Sequence, residues 1–311
     1  MIKAWRSRNT RLIALLKVTL AVIFWGASFV ATKVALQEVS PATIVWLRFA
    51  MGVIILGLAV LLRRQFTLPN KSDLAYFALL GFIGITFHQW LQSTGLLTAE
   101  ATTTAWIVAT TPIFMALLGW LILKERLFWL QILGIGIAAF GVLLVVTDGN
   151  LASLASGSFG SQGDLLVLIS APNWAIFSVL SRRGLKTHPA ARMVFYVMAF
   201  GWLFSSVIFF LGPGLADLAN LSWKGWAGVI FLGIFCSGLA YIFWYDGLQV
   251  LPVAQAGAFV YLEPFITTIV AAVLLNEPLV WASLLGGLGI LIGVWLVQTG
   301  KKKIVRARNP S

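Results

Sequence analysis

Charge is scarce in this sequence. Only 10% of its 311 residues are Asp, Glu, Lys or Arg, against about 25% in a soluble domain. So few charges cannot cover a water-facing surface, which excludes a soluble globular fold. Acidic residues are scarcest of all, and the formal net charge is +12. A surplus of that sign invites a nucleic-acid partner, but such binding needs a basic patch on a wettable fold. Here the cations stand in short clusters between long apolar runs, so no nucleic acid is expected. The single cysteine, Cys236, excludes an intramolecular disulfide and reads as a small buried side chain in its apolar run. The only histidines, His88 and His188, stand a hundred residues apart, and no metal-ligand spacing is present. There is no Gly-x-x-x-x-Gly-Lys-Ser/Thr phosphate loop. No cofactor is expected, and any work the protein does must draw on a gradient or a partner.

What is abundant is apolar sequence, 60% of the chain. A helix needs about 20 mostly apolar residues to cross the hydrocarbon core. That length predicts spans near 13–36, 42–62, 74–97, 101–123, 127–147, 164–182, 191–212, 223–245, 252–275 and 279–299. The basic N-terminus resembles a signal-peptide n-region, but the run that follows is far longer than the ~7–15 residues of a cleavable segment. It reads as a first span. The runs 101–123, 127–147, 193–216 and 278–300 hold no charge at all, and a soluble core could not use so many helices apolar on every face.

Lys and Arg set the orientation. With a cytoplasmic N-terminus, 19 of the 22 basic residues fall on the inside. They lie in the N-terminal stretch through Lys17, the 63–73 and 182–192 loops, the 124–126 turn and the C-terminal tail. Only Lys224 lies outside, while Lys33 and Arg48 lie within spans. Both termini are therefore expected in the cytoplasm. The one long loop, 148–163, is rich in Gly and Ser and external, the natural boundary between halves.

The chain repeats itself at a period of 152 residues. Gly81 matches Gly233, Gly95-Leu96 matches Gly247-Leu248, and Pro112 matches Pro264. Leu123, Glu125, Leu127 and Trp129 match Leu275, Glu277, Leu279 and Trp281; Leu133-Gly134 and Gly141-Val142 match Leu285-Gly286 and Gly293-Val294. Apolar composition alone would not align Pro, Glu, Trp and Gly in register. Each half holds five spans, an odd number, so the second inserts upside down. The charges agree: Lys124-Glu125-Arg126 is basic, whereas its partner Asn276-Glu277-Pro278 has lost both cations. The expected fold is therefore an all-α integral membrane protein of ten transmembrane helices in two inverted five-helix repeats. The organisation is a tail (1–12), a first repeat (13–147), an external linker (148–163), a second repeat (164–299) and a basic tail (300–311). Secondary transporters typically place their substrate site near the midplane of such a pair.

Span one carries Phe24-Trp25-Gly26-Ala27-Ser28-Phe29, and span two carries Pro41 followed by Leu47-Arg48-Phe49. In both halves a proline in span four or nine precedes a Leu-x-Glu-x-Leu turn, Leu123-Lys124-Glu125-Arg126-Leu127 and Leu275-Asn276-Glu277-Pro278-Leu279. In that order, over about 280 residues, these motifs make the chain resemble the EamA type of the drug/metabolite transporter superfamily. The resemblance implies ten helices in two repeats and gradient-driven export or exchange of amino acids and other metabolites. In span six, Ala171-Pro172-Asn173-Trp174-Ala175 echoes the span-one motif only loosely.

Within this frame a few residues stand out. Pro112 and Pro264, in mid-span, should each free a carbonyl and kink a helix, as a packing kink or as a cavity lining. Glu263 is the only acidic residue deep inside a span. A carboxylate there costs about 2.5–3.5 kcal/mol on insertion scales, so it couples protons, holds a substrate ammonium, or pairs with Arg48. Arg48 sits roughly 10 Å deep at 1.5 Å per residue, placed to pair with a carboxylate or attract an anionic group. Lys33 is close enough to the interface to snorkel. His88 and Gln92, one turn apart, share a helix face, as packing residues or as a polar lining. Of the aromatics Trp25, Trp106, Trp174, Tyr241, Trp244, Tyr245 and Tyr261, the pair Trp106 and Tyr261 near the prolines reads as cavity wall. Trp244 and Tyr245, at a span end, read as interfacial belt. Trp25 and Asn173 complete the substrate-binding or coupling candidates.

The expected function is a secondary active transporter of the inner membrane. It works by alternating access around a cavity of spans one, three, four, six, eight and nine, and exports a small-molecule substrate. An exchanger of nucleotide sugars or phosphorylated compounds would need more buried cations than Lys33 and Arg48. An intramembrane enzyme needs clustered His, Asp or Cys, and a channel needs charge rings or filter loops. The expected partners are the lipid bilayer and the substrate. The glycine-rich faces of spans five and ten add a homodimer as an option.

Overall fold

The computed structural model describes residues 2–123, 127–156, 160–251 and 259–308, with side chains undescribed at 2–9, 119, 122–123, 156, 182–183, 248–249 and 299–308. Among the described residues the regular structure is helical, and nine helices are long and apolar enough to cross a membrane. They are Thr10–Ala35, Pro41–Leu62, Lys71–Gly95, Ala101–Leu118, Trp129–Val146, Gln162–Thr187, Ala190–Leu211, Trp223–Gly247 and Trp281–Gln298, which are spans one to eight and ten. A shorter apolar helical stretch, Val260–Leu274, is the tail of span nine. The expected start of that span, at 252–258, lies outside the described residues, as does the turn at 124–126.

Local chemistry fixes where several spans begin. Ser40 caps span two ahead of Pro41, whose missing N–H is harmless in the first turn. Asn70 caps span three by accepting from the Asp73 N–H at 2.8 Å. Ser161 and Asp164 cap span six reciprocally, and Ser222 accepts from the Lys224 N–H to start span eight. Large apolar side chains point outward along the spans, among them Ile54, Leu58 and Leu62 on span two and Ile269 and Val273 on span nine. Such a surface is stable only against lipid.

The inversion of the halves is visible in the packing of equivalent spans. Spans five and ten meet with Gly134 at Gly293 and Gly141 at Gly286. Spans two and seven meet with Trp46 stacked on Phe209 at 4.2 Å and Gly57 at Phe195. Spans four and nine meet with Thr102 at Glu277 and Trp106 at Phe265. In each pair the numbering rises along one helix and falls along the other, so equivalent helices run antiparallel. The halves also interlock: span one packs on spans eight and nine, and span six packs on spans three and four.

The glycine faces of spans five and ten are occupied within the chain. A Cβ on Gly134 would lie 2.5 Å from the Gly293 carbonyl oxygen, and one on Gly141 would lie 2.5 Å from that of Gly286. The faces that suggested a homodimer thus bring two spans of one chain into contact. Outward these helices present Trp129, Ile132, Phe140, Leu285, Leu288 and Trp295 instead.

This contact predicts opposite behaviour at two neighbouring glycines. In Gly141→Ala the new methyl meets backbone, and overpacking of this kind costs about 1–3 kcal/mol. A Cβ on Gly136 meets nothing within 4 Å, so Gly136→Ala should be neutral or gain up to about 1 kcal/mol of helix propensity. Melting temperatures of the detergent-solubilised variants test this, and the reverse order would refute the contact.

Candidate functional site

Four spans abandon regular α geometry, in two symmetric pairs. Span three is π-helical at Phe82–Phe87 and span eight at Phe231–Leu239. The repeat places 82–87 on 234–239, so both halves loosen at the same depth. π-Helical turns inside α-helices often mark functional sites. Each is braced by the first span of the opposite half. The Trp25 indole donates to the Cys236 carbonyl at 3.1 Å, and the Asn173 amide donates to the Ile83 carbonyl at 2.8 Å. The Cys236 thiol in turn donates to the Phe24 carbonyl at 3.2 Å.

The prolines interrupt their helices rather than kink them. Span four runs as Ala101–Val108 and then Thr111–Leu123; span nine passes through a 3-10 turn, Val260–Leu262, before Glu263–Leu274. Pro112 and Pro264 each stand in the first turn of the restarted helix, where a missing N–H does no harm. The Thr111 hydroxyl donates at 2.7 Å to the Val108 carbonyl, the one that Pro112 cannot bond. In span nine Thr267 bridges the Gly26 and Glu263 carbonyls, at 2.7 and 2.9 Å, and Thr268 donates to that of Pro264 at 2.8 Å. The break in span nine therefore lies against the Phe24-Trp25-Gly26 motif of span one. A Cβ on Gly26 would sit 2.9 Å from the Glu263 carbonyl oxygen.

Arg48 is buried, with 5% exposure. Its Nε donates to the Ser237 hydroxyl and one terminal nitrogen to the Gln89 side-chain amide oxygen, both at 3.1 Å, and the guanidinium lies 5.2 Å from the Phe49 ring centroid. Among the described residues it forms no ion pair, so the expected pairing with Glu263 is absent. A guanidinium carries five N–H donors, and two of them have partners among the described residues. Glu263 is half-buried, and its carboxylate has no hydrogen-bond or ion-pair partner among the described residues. Ser237, which holds Arg48, follows Cys236, whose thiol reaches Phe24, two residues before the Gly26 that packs against Glu263. His88 and Gln92 are buried on one face of span three. The His88 ring lies 4.7 Å from Trp174, and its Nδ1 has no partner among the described residues.

The aromatics sort differently from expectation. Trp106 is fully buried against Phe265 and Gly287, in a cluster with Ala138 and Ile290, so it packs spans four, nine and ten together. Tyr261 joins that cluster's edge and accepts a hydrogen bond from Gln298. Trp244, expected in the belt, lies 5.3 Å from Trp25, which also meets Tyr241 edge-on at 5.6 Å. Trp25, Trp174, Tyr241 and Tyr245 all border one central cluster that contains Phe49. The polar and aromatic residues thus converge from spans one, two, three, six and eight, with Glu263 adjoining from span nine. Span two replaces span four in the expected set.

Ion networks close both ends. At one end, Glu277 accepts from the Ala101 N–H at 2.9 Å and from the Thr102 N–H and hydroxyl at 3.1 and 2.9 Å. It thereby caps span four. Lys33 reaches Glu277 at 3.4 Å and donates to the Ala99 carbonyl at 2.8 Å, so it is bound and does not snorkel. At the other end, Asp246 accepts from Lys17 at 2.7 Å and from both terminal nitrogens of Arg63 at 2.7 and 3.0 Å, tying spans one, two and eight.

The profile of the EamA-like transporter family matches residues 12–147 and again 161–299. The chain belongs to the EamA-like transporter family. An uncharacterized transporter of Archaeoglobus fulgidus is 28% identical over 281 residues, covering 90% of this chain and 96% of that protein. The uncharacterized transporter YyaM of Bacillus subtilis is 27% identical, covering 88% of this chain and 89% of its own. A probable terminal-alkyne amino-acid exporter of Streptantibioticus cattleyicolor is 26% identical over 297 residues, covering 94% and 95%. A solved crystal structure matches with a TM-score of 0.64 at 21% identity, covering 92% of this chain and 98% of that one. That likeness supports the fold.

The Leu-x-Glu-x-Leu turn of this EamA protein has a physical role in its second half. Asn276 takes a positive φ of 54°, which turns the chain and aims Glu277 at the start of span four. Its first-half counterpart, Glu125, lies outside the described residues. The role of Glu277 predicts that Glu277→Ala lowers stability by about 2–3 kcal/mol, as loss of charge-assisted bonds does. In a double-mutant cycle with Lys33→Met the losses should not add. Additive losses would separate the two residues.

Proposed function

We propose that this chain is a secondary active exporter of amino acids or related small metabolites. It works by alternating access in the bacterial cytoplasmic membrane, with both termini in the cytoplasm, and is not an enzyme. The observation that carries the reading is two opposite charges within the spans, buried Arg48 and half-buried Glu263, that do not satisfy one another. Arg48 offers a planar fork of free N–H donors, suited to a carboxylate. Glu263, at the break of span nine against Gly26, offers a carboxylate to an ammonium or a proton. A zwitterionic amino acid presents both complements, and the aromatic residues around Trp25 would cover its apolar side chain. A relative named as a probable amino-acid exporter supports the same substrate class.

Alternating access needs elements that change shape at low cost. The π-helical stretches and proline breaks supply them in both halves, and the Lys33–Glu277 and Lys17–Arg63–Asp246 networks are ties that must open in turn. An exchanger of phosphorylated compounds is disfavoured because Arg48 is the one buried cation among the described residues.

Purified protein in sealed vesicles, with and without an imposed proton gradient, tests the reading. Gradient-dependent amino-acid flux should be abolished in Glu263→Gln. Arg48→Lys keeps the charge and loses the fork, so KM should rise about tenfold or more, the equivalent of ~1.4 kcal/mol. Flux indifferent to both substitutions would sink this site. Topology is tested on intact cells with a membrane-impermeant thiol reagent. Ser158→Cys in the linker should label from outside, and Lys186→Cys should label only after permeabilisation.

A further inference from the structure

Arg48 has no counter-charge among the described residues. At the ends of the spans the cations meet carboxylates: Lys17 and Arg63 share Asp246, and Lys33 reaches Glu277. Arg48 lies deeper, with 5% exposure, and its two hydrogen bonds go to neutral groups. Nε donates to the Ser237 hydroxyl and Nη1 to Oε1 of Gln89, each at 3.1 Å. A guanidinium taken out of water needs an anion to offset its desolvation. The Gln89 amide oxygen meets its geometry without meeting its charge.

The identity of that acceptor is informative. Glutamate has nearly the same shape and would bond Arg48 in the same pose with a charge added. A residue kept only to anchor Arg48 would anchor it more strongly as a carboxylate. Glutamine holds the guanidinium loosely and leaves its charge open to a ligand. It also stands where it can be moved. Gln89 is half-buried and follows the π-helical stretch Phe82–Phe87 by two residues, while Ser237 lies inside the stretch Phe231–Leu239. A π-helical turn holds one residue more than the α-turn it replaces. Return of span three to α geometry would therefore turn Gln89 by about 100° around the helix axis and take its amide off Arg48.

We propose that Gln89 stands in for the substrate carboxylate on Arg48 while the transporter is empty. This role rests on Arg48 being the carboxylate seat of the proposed amino-acid site. An arriving carboxylate brings two oxygens and a charge, and displaces the neutral amide. When the substrate leaves on the far side, Gln89 returns, so the guanidinium is not left bare. Net export needs that step, because the empty protein must swing back. Exchange does not need it, since the site returns loaded. Gln89 thus decides whether the protein runs net export or is confined to exchange.

The test uses the full-length protein in sealed vesicles loaded with a radiolabelled mixture of the standard L-amino acids, at equal pH on both sides. Efflux into plain buffer reports net transport, and efflux into the same mixture unlabelled reports exchange. Wild type should release label in both modes. In Gln89→Leu net efflux should fall about tenfold or more, as loss of a hydrogen bond to a charged group predicts, while exchange stays close to wild type. The amino-acid concentration that half-saturates exchange should not rise, because a competitor has been removed. Gln89→Glu, nearly isosteric, should lose both modes with its melting temperature kept, and it serves if the leucine variant does not fold. Equal losses of net efflux and exchange in folded Gln89→Leu, or wild-type efflux in Gln89→Glu, overturn the role of Gln89 alone. Efflux that survives Arg48→Lys unchanged, or no efflux from wild type, sinks the amino-acid site and the stand-in with it.

Discussion

A backbone carbonyl or N–H freed inside a bilayer has no water to turn to, and leaving it unpaired costs several kcal/mol. A transporter nonetheless needs helices that bend and break. In this chain the loosened stretches carry local remedies. Threonine hydroxyls serve the proline breaks at Val108 and at Glu263–Pro264. An indole and a carboxamide serve the two π-helical stretches at Cys236 and Ile83. These remedies are side chains on neighbouring turns or neighbouring helices, so they can be released and remade as the helices move. The same requirement explains the caps at both faces, where Glu277 takes up the first N–H groups of span four.

Inversion of the repeat turns these local remedies into a coupling between halves. Trp25 belongs to the first half but braces the π-helical stretch of the second, and Asn173 does the reverse. Thr267 of span nine reaches the Gly26 carbonyl of span one. Neither half therefore holds its own irregular segments alone. A rocking motion of one half against the other must change both braces together, which is the geometry alternating access around a pseudo-twofold requires.

The frame was readable from the sequence because it rests on signals of length and period. Ten apolar runs, the inside excess of Lys and Arg, and the in-register Pro, Glu, Trp and Gly matches imposed the inverted fold. The site was only partly readable. Arg48, Trp25, His88 and Glu263 stand out as odd residues for their positions, but nothing in a single sequence says which of two buried charges finds which partner. Arg48 turned to Gln89 and Ser237 because the π-helical stretch of span eight presents Ser237, and no periodicity announces a π-helix. Trp106 became a packing residue for a related reason. Nearness to a proline in sequence says little about which face of the broken helix looks inward, and Gly287 on span ten offered Trp106 a seat. Glu277 was flagged as a motif residue, but its tie to span four crosses 176 residues.

Where the two halves differ is as informative as where they agree. The repeat pairs Thr111 with Glu263 at the head of the two proline breaks. In the first half a hydroxyl at that position satisfies the freed Val108 carbonyl. In the second half a carboxylate stands there, and the carbonyl that Pro264 frees, that of Val260, accepts from the Glu263 backbone N–H, while Thr267 and Thr268 bond the Glu263 and Pro264 carbonyls. Structural need at the break is thus met without the Glu263 side chain. A costly group at a symmetric position, in the half where symmetry would supply a threonine, agrees with the binding role proposed for Glu263.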